Sequence, residues 1–380
     1  MEFINMSAGK DGMHMEWPLH GGQPDRIRQL FRMPAEQKLL DFSANINPLG
    51  PPDSVRRLWP ALLEQMTVYP DPDYNEAVAA VAAHSGTSPD RVLLTNGGAE
   101  AIFLAARLLA GGTALIVHPT FAEYEHACAH YRVRTQLLIA EPDQPFPVEE
   151  VMRRFSAVDG LFLCRPNNPS GELLPRDCIV RLLEHAQRTE TLLIVDEAFI
   201  DFVAEPDASI VSLLDDFPNL VLTRSLTKMY ALPGLRIGYS LAEPHLIQQM
   251  AAHRMPWSVN GPAALLTPVL LEDAKFASRT RKWLQTELEW LRSRMRQLNF
   301  AMSASKTNFY LLRDPNPSSD AATLYAFLLE GGILPRHTHT FPGLEGAALR
   351  FAVRSREENE RLLERLAEWR LLRHAAEGIR

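Results

Sequence analysis

Between residues 90 and 242 the chain repeats one pattern that few architectures accommodate. Short apolar runs, "RVLLT", "ALIVHP", "RTQLLIA", "GLFLCRP", "LLIVDEAF", "LVLTRSL" and "RIGYSLA", alternate with stretches of helical character. One of these stretches, "AEAIFLAARLLAGG", is apolar at helical spacing and stops at Gly111 and Gly112. Strands apolar on both faces and separated by helices predict a mostly parallel sheet covered on either side, an α/β fold. After Pro256 the texture changes. Long helical stretches such as "KFASRTRKWLQTELEWLRSRMRQL" lead to three short strands, "NFYLLR", "GILPRH" and "ALRFAVRS", and a charged helix from about Glu357. This predicts a large α/β domain over 51–270 and a smaller α+β domain over 271–380, joined by an N-terminal segment, 1–50. A chain of 380 residues has room for both.

Composition narrows the partners. A net charge of −7 argues against nucleic acid and gives no reason to expect a membrane surface, so an anionic substrate must be caught by a local cluster of cations. Three cysteines without CxxC spacing, and no apolar run near 18 residues, predict a cytoplasmic protein in a reduced compartment. No metal site is expected.

In an open α/β sheet the chemistry lies beyond the carboxyl ends of the strands. After "RVLLT" comes "NGGAE", a Gly-rich turn opening a helix, whose free N–H groups and dipole suit a phosphate. After "GLFLC" come Asn167 and Asn168 between prolines; after "LLIV" comes Asp196; after "LVLTR" comes "SLTK", with Ser225 and Lys228. Each also fits a plain role as turn, helix cap or surface charge. Together, a phosphate seat, a carboxylate for a pyridinium N–H, an Asn for a phenolic oxygen and an amine describe pyridoxal phosphate. Lys228 bonds the cofactor through a partly deprotonated amine, Asp196 keeps the ring nitrogen protonated, and Ser225 and Arg236 add hydrogen bonds to the phosphate.

The spacing of Asn168, Asp196, Lys228 and Arg236 resembles that of the fold type I pyridoxal-phosphate transferases. The stretches "LDFSANINPLG", "YPDPDY", "FAEY", "PNNPSG", "DEAFIDF", "SLTKMYALPGLRIGY" and "MPWSVN" most resemble the threonine-phosphate decarboxylases of cobamide biosynthesis, which must be told from the histidinol-phosphate aminotransferases. The resemblance runs from about His20 to the end and leaves only residues 1 to about 15 unmatched. It implies that backbone N–H groups of Gly98 and Ala99 hold the cofactor phosphate, that Tyr124 stacks on the pyridine ring, and that Asn168 donates to the phenolic oxygen. Tyr69 would reach the phosphate of a neighbouring subunit's cofactor, which implies a homodimer. His20, Gly21, Asn45, Asn168, Arg336 and Arg350 match the substrate-binding positions. Arg350 is expected to take mainly the carboxylate and Arg336 mainly the phosphate. Core packing or a surface charge remains the alternative for Tyr124, Tyr69, Arg336 and Arg350.

Phe199 separates the two relatives. Aminotransferases of this type commonly carry Tyr there, whose phenol donates to the cofactor's phenolic oxygen; Phe cannot donate. Phe199 and Trp257 match the decarboxylases, although Phe199 also fits a core aromatic. The bond that breaks is the one held perpendicular to the cofactor's π-plane, so fixing a substrate's phosphate and carboxylate decides between Cα–H and Cα–COO⁻. Which bond is so held the residues do not show, and the resemblance to the decarboxylases implies the activity: decarboxylation of O-phospho-L-threonine to 1-aminopropan-2-yl phosphate and CO2 for cobalamin biosynthesis. O-Phosphoserine decarboxylation and transamination of histidinol phosphate are the alternatives.

Overall fold

The computed structural model describes residues 17–141, 144–316 and 320–377; the unmatched residues 1 to about 15 lie outside them. The described strands are β1 (Leu40–Asp41), β2 (Val92–Thr95), β3 (Thr113–His118), β4 (Arg134–Ile139), β5 (Gly160–Cys164), β6 (Leu192–Asp196) and β7 (Leu220–Ser225). They continue with β8 (Gly238–Ala242), β9 (Ala301–Met302), β10 (Phe309–Arg313), β11 (Ile333–Leu334), β12 (Arg336–His337) and β13 (Leu349–Ala352).

All seven apolar runs are strands of one sheet, in the order β2-β8-β7-β6-β5-β3-β4. Strands β3 to β7 pair in parallel, and β8 lies antiparallel between β7 and β2. The interior strands β3, β5, β7 and β8 are buried at each residue, as helices on both faces require, while the edge strand β4 alternates between half-buried and exposed positions. The helix Gly97–Arg107 carries alanines at 101, 105 and 106, all buried, so it packs close to the sheet.

The later strands form a second, antiparallel sheet, β12-β13-β10-β9. One expectation is corrected here: "GILPRH" is two strands. Pro335 has no N–H to give a ladder, and the chain changes partners across it. β11 pairs in parallel with β1 of the N-terminal segment, and β12 pairs with β13. The helix Ala274–Gln297 begins where the Asp273 side chain accepts a hydrogen bond from Phe276 N (3.0 Å) and buries Phe276, Leu284, Leu288, Leu291 and Met295 along one stripe. The charged terminal helix runs from Arg356 to Glu377. Among the described residues no helix is long and apolar enough to cross a membrane.

Candidate active site

Strand register sets the floor of the cleft. Cys164, Asp196 and Thr223 stand side by side across β5, β6 and β7, and Ser225, Gly238 and Thr95 do so across β7, β8 and β2. The polar residues that follow each apolar strand therefore emerge at neighbouring points.

Asp196 is buried and meets neutral donors, among them Tyr124 Oη–H (2.8 Å) and Ala198 N–H (3.0 Å). Burial pushes its carboxyl above the usual range, and no cation pairs with it among the described residues. One strand along, just past the end of β7, Lys228 has the opposite problem. Burial, then the charges of Arg236 and Arg350, lower its pKa to about 8, and its amine has no ion-pair partner among the described residues. A carboxylate lacking a cation and an amine lacking an anion, set in one cleft, fit the ring nitrogen and aldehyde of pyridoxal phosphate.

The phosphate end fits as well. Gly97 opens the helix Gly97–Arg107 at a φ of 76°, and the Arg236 guanidinium lies against it. A Cβ on Gly98 would stand 3.4 Å from Ser225 Cβ, so Ser225 borders the same N-terminus; its Oγ lies 2.8 Å from Thr227 Oγ1. Gly238 supports this approach from below: a Cβ there would meet Gly98 N at 2.8 Å and Arg224 O at 2.6 Å. Helix N-terminus, hydroxyls and guanidinium converge as a dianion requires.

Arg350 and Arg336 are direct cross-strand partners on β13 and β12. Arg350 donates to Asn168 Oδ1 (2.6 Å) and to Ser43 O (2.8 Å), which leaves the Asn168 amide nitrogen as the available donor. Its Nε, and the Oδ1 of buried Asn45, are buried without a hydrogen-bond partner. Arg336 donates to Pro18 O (2.7 Å), Leu19 O and Thr340 Oγ1 (2.7 Å), so it grips the backbone just before His20. Gly21 packs flat on the Ser43 carbonyl, and His20 Nε2 reaches Glu123 Oε1 at 2.8 Å.

Tyr124 is placed otherwise than a stacking role implies, while the positions of Tyr69 and Phe199 contradict nothing expected of them. Tyr124 is fully buried, its ring stacked on Phe162 (5.3 Å between centroids) and its hydroxyl committed to Asp196. Its face is thus closed to a stacking partner. The half-buried ring beside it is Phe121, edge-on to Tyr124 and 6.0 Å from the His20 ring. The helix beginning at Glu123 turns Tyr124 toward the sheet and leaves Phe121 in the turn before it, a distinction that depends on knowing where the helix starts. Tyr69 is 83% exposed, touches Trp257 (5.1 Å) and takes no part in this chain's own cleft; Trp257 donates from Nε1 to Pro70 O at 3.2 Å. Phe199 is buried edge-on to Phe309 (4.8 Å), over which Arg350 lies at 5.5 Å.

Sheet order, strand-end chemistry and this anion-binding wall define a fold type I pyridoxal-phosphate enzyme. The family model for aminotransferase class I and II matches residues 37–366, and the chain belongs to that family. It is 37% identical to the threonine-phosphate decarboxylase of Salmonella typhimurium over 90% of this chain and 94% of that protein. Among solved structures, the L-threonine-O-3-phosphate decarboxylase of Porphyromonas gingivalis is 29% identical with a TM-score of 0.76, covering 86% of this chain and 98% of that one. The histidinol-phosphate aminotransferase of Clostridium acetobutylicum is 28% identical with a TM-score of 0.83, covering 87% and 99%.

Proposed function

We propose that this protein decarboxylates O-phospho-L-threonine, releasing 1-aminopropan-2-yl phosphate and CO2 for cobalamin biosynthesis. The observation that carries the reading is the cross-strand pair Arg336 and Arg350, the latter close enough to depress the basicity of Lys228. Two fixed guanidinium groups suit a substrate bearing both a carboxylate and a phosphate. Pyridoxal phosphate, when bound, supplies the electron sink for the bond broken at the substrate's α-carbon. Lys228 would hold the cofactor through Nζ and, as a free amine, carries near neutrality a proton that it can give up. Asp196 keeps a negative charge opposite the ring nitrogen while Tyr124 fixes that carboxylate. Gly98, Ala99, Ser225 and Arg236 hold the cofactor phosphate, and Asn168 donates to the phenolic oxygen. Phe199 adds no hydroxyl there. Arg350 takes the carboxylate, and Arg336 with His20, Gly21 and Asn45 takes the substrate phosphate, orienting the bond to be broken.

A homodimer belongs to the same proposal. Leu63, Met66, Val68 and Tyr69 are 61–83% exposed in sequence with one another, and Met255 and Trp257 are exposed beside them. Such a run of large apolar side chains supports burial against a second copy, which would bring Tyr69 to the partner's cofactor. The division near residues 50 and 270 belongs to the same proposal: the helix Gly261–Glu272 lies on Asn75–Ser85, while Ala274–Gln297 bridges the terminal helix and Ile200–Phe202. Three free cysteines support a cytoplasmic location.

Transamination of histidinol phosphate is the second reading, favoured by the higher TM-score, 0.83, of the Clostridium protein. O-Phosphoserine differs by one methyl, worth ~1–3 kcal/mol of discrimination. Incubation of holoenzyme with each phosphoamino acid and no oxo acid decides the reaction. CO2 release is expected; strict dependence on 2-oxoglutarate would overturn decarboxylation.

A further inference from the structure

The segment Trp17–Gly22 is fastened mostly to the side of the cleft that carries the second sheet. Trp17 packs on His337 and His339 (4.3 and 4.8 Å), Arg336 donates to Pro18 O and Leu19 O, and Gly22 N donates to Ser43 Oγ at 2.8 Å. His20 alone of this segment forms an ion pair with the opposite side, where Glu123 opens the helix Glu123–His130 after β3. The contact is 2.8 Å, with His20 45% and Glu123 16% exposed. Glu123 also receives His126 Nδ1 at 3.3 Å, and its carboxyl is held below the usual range chiefly by the hydrogen bond from His20. The Phe121 ring lies 6.0 Å from the imidazole. A carboxylate on one ring nitrogen fixes the orientation of a histidine and leaves the other nitrogen as the working group.

We propose that Glu123 is a positioning residue for recognition of the substrate phosphate: it holds His20 through Nε2 and so turns the other ring nitrogen, Nδ1, toward the phosphate, which it serves as a donor when both nitrogens carry hydrogen. The inference rests on His20 being a phosphate-binding residue in the reading above. Glu123 itself never touches the substrate. It determines specificity by holding a half-exposed imidazole in one orientation.

The test is a cycle of E123A, H20A and the double variant in the full-length holoenzyme, with E123Q as the variant that keeps an acceptor. E123A is expected to raise KM for O-phosphothreonine about fivefold, the upper range for a partly exposed ion pair, with kcat nearly unchanged. Turnover of unphosphorylated threonine should not respond, E123Q should recover part of the loss, and in the H20A background E123A should add nothing. Equal losses on threonine and its phosphate ester, or additive effects in the double variant, would overturn the proposal. Calorimetric titration of the same four holoenzymes with inorganic phosphate reads the coupling without turnover. Coupled losses of phosphate affinity there, in an enzyme that fails to release CO2, would leave the Glu123–His20 pairing standing and reject only the decarboxylase reading. Additive losses would reject the pairing alone.

Discussion

Lys228 is a cation with cationic neighbours and, among the described residues, no ion-pair partner. Its pKa falls to about 8 through burial first and through Arg236 and Arg350 second. The folded protein therefore favours the neutral amine, so Lys228 opposes folding below about pH 8, and this opposition fades as the pH approaches the ordinary 10.5. Cofactor uptake requires the neutral form. Uptake by apoprotein, followed as growth of visible absorbance, should accelerate with pH and level off above about 8. Arg350→Met, which removes a positive neighbour, should move the midpoint upward. A wild-type midpoint near 10.5 would mean that the amine keeps its ordinary basicity.

Among elements, the contact between β8 and the helix Gly97–Arg107 controls the phosphate seat. Gly238 leaves no space for a side chain between the Arg224 carbonyl and the Gly98 amide (2.6 and 2.8 Å from a would-be Cβ). Gly238→Ala should push that helix N-terminus away, costing ~1–3 kcal/mol of stability as overpacking does. Cofactor affinity should fall with it, measured by the denaturation midpoint and by cofactor release. Lost stability with unchanged cofactor affinity would place the phosphate elsewhere. Much of this element-level arrangement was legible in the chain because each central strand is a short apolar run ending in a polar residue that burial cannot explain: Asp196, Asn168, Ser225. What stayed hidden depended on distances of one or two residues. β1 and β9 are two residues each, too short to show alternation, and Pro335 divides a run whose halves look continuous. The roles of Phe121 and Tyr124 turn on whether the helix starts before or after residue 122. Glu123 carries no signal of its own, since an acidic residue in a first helical turn is ordinary.

At the scale of the whole molecule, the exposed apolar run from Leu63 to Tyr69, with Met255 and Trp257 beside it, is the feature most at odds with a solitary chain of 42.7 kDa. Sedimentation equilibrium should give twice that mass. Leu63→Glu with Met66→Glu should give monomers that lose cofactor faster, because Tyr69 then has no neighbour to serve. Monomers that retain cofactor as tightly as wild type would dissociate Tyr69 from cofactor binding.

The Arg336–Arg350 pair has a consequence of another kind. The two arginines stand opposite each other in the register of β12 and β13, nearly out of solvent (2% and 6% exposed), with no carboxylate in an ion pair with either among the described residues. Like charges set opposite one another weaken a strand pair, and an anion arriving between them removes that penalty. The ligand-free molecule is then the less durable form. Where proteolysis consumes the unfolded fraction, the amount of this enzyme in a cell would follow the supply of its own substrate.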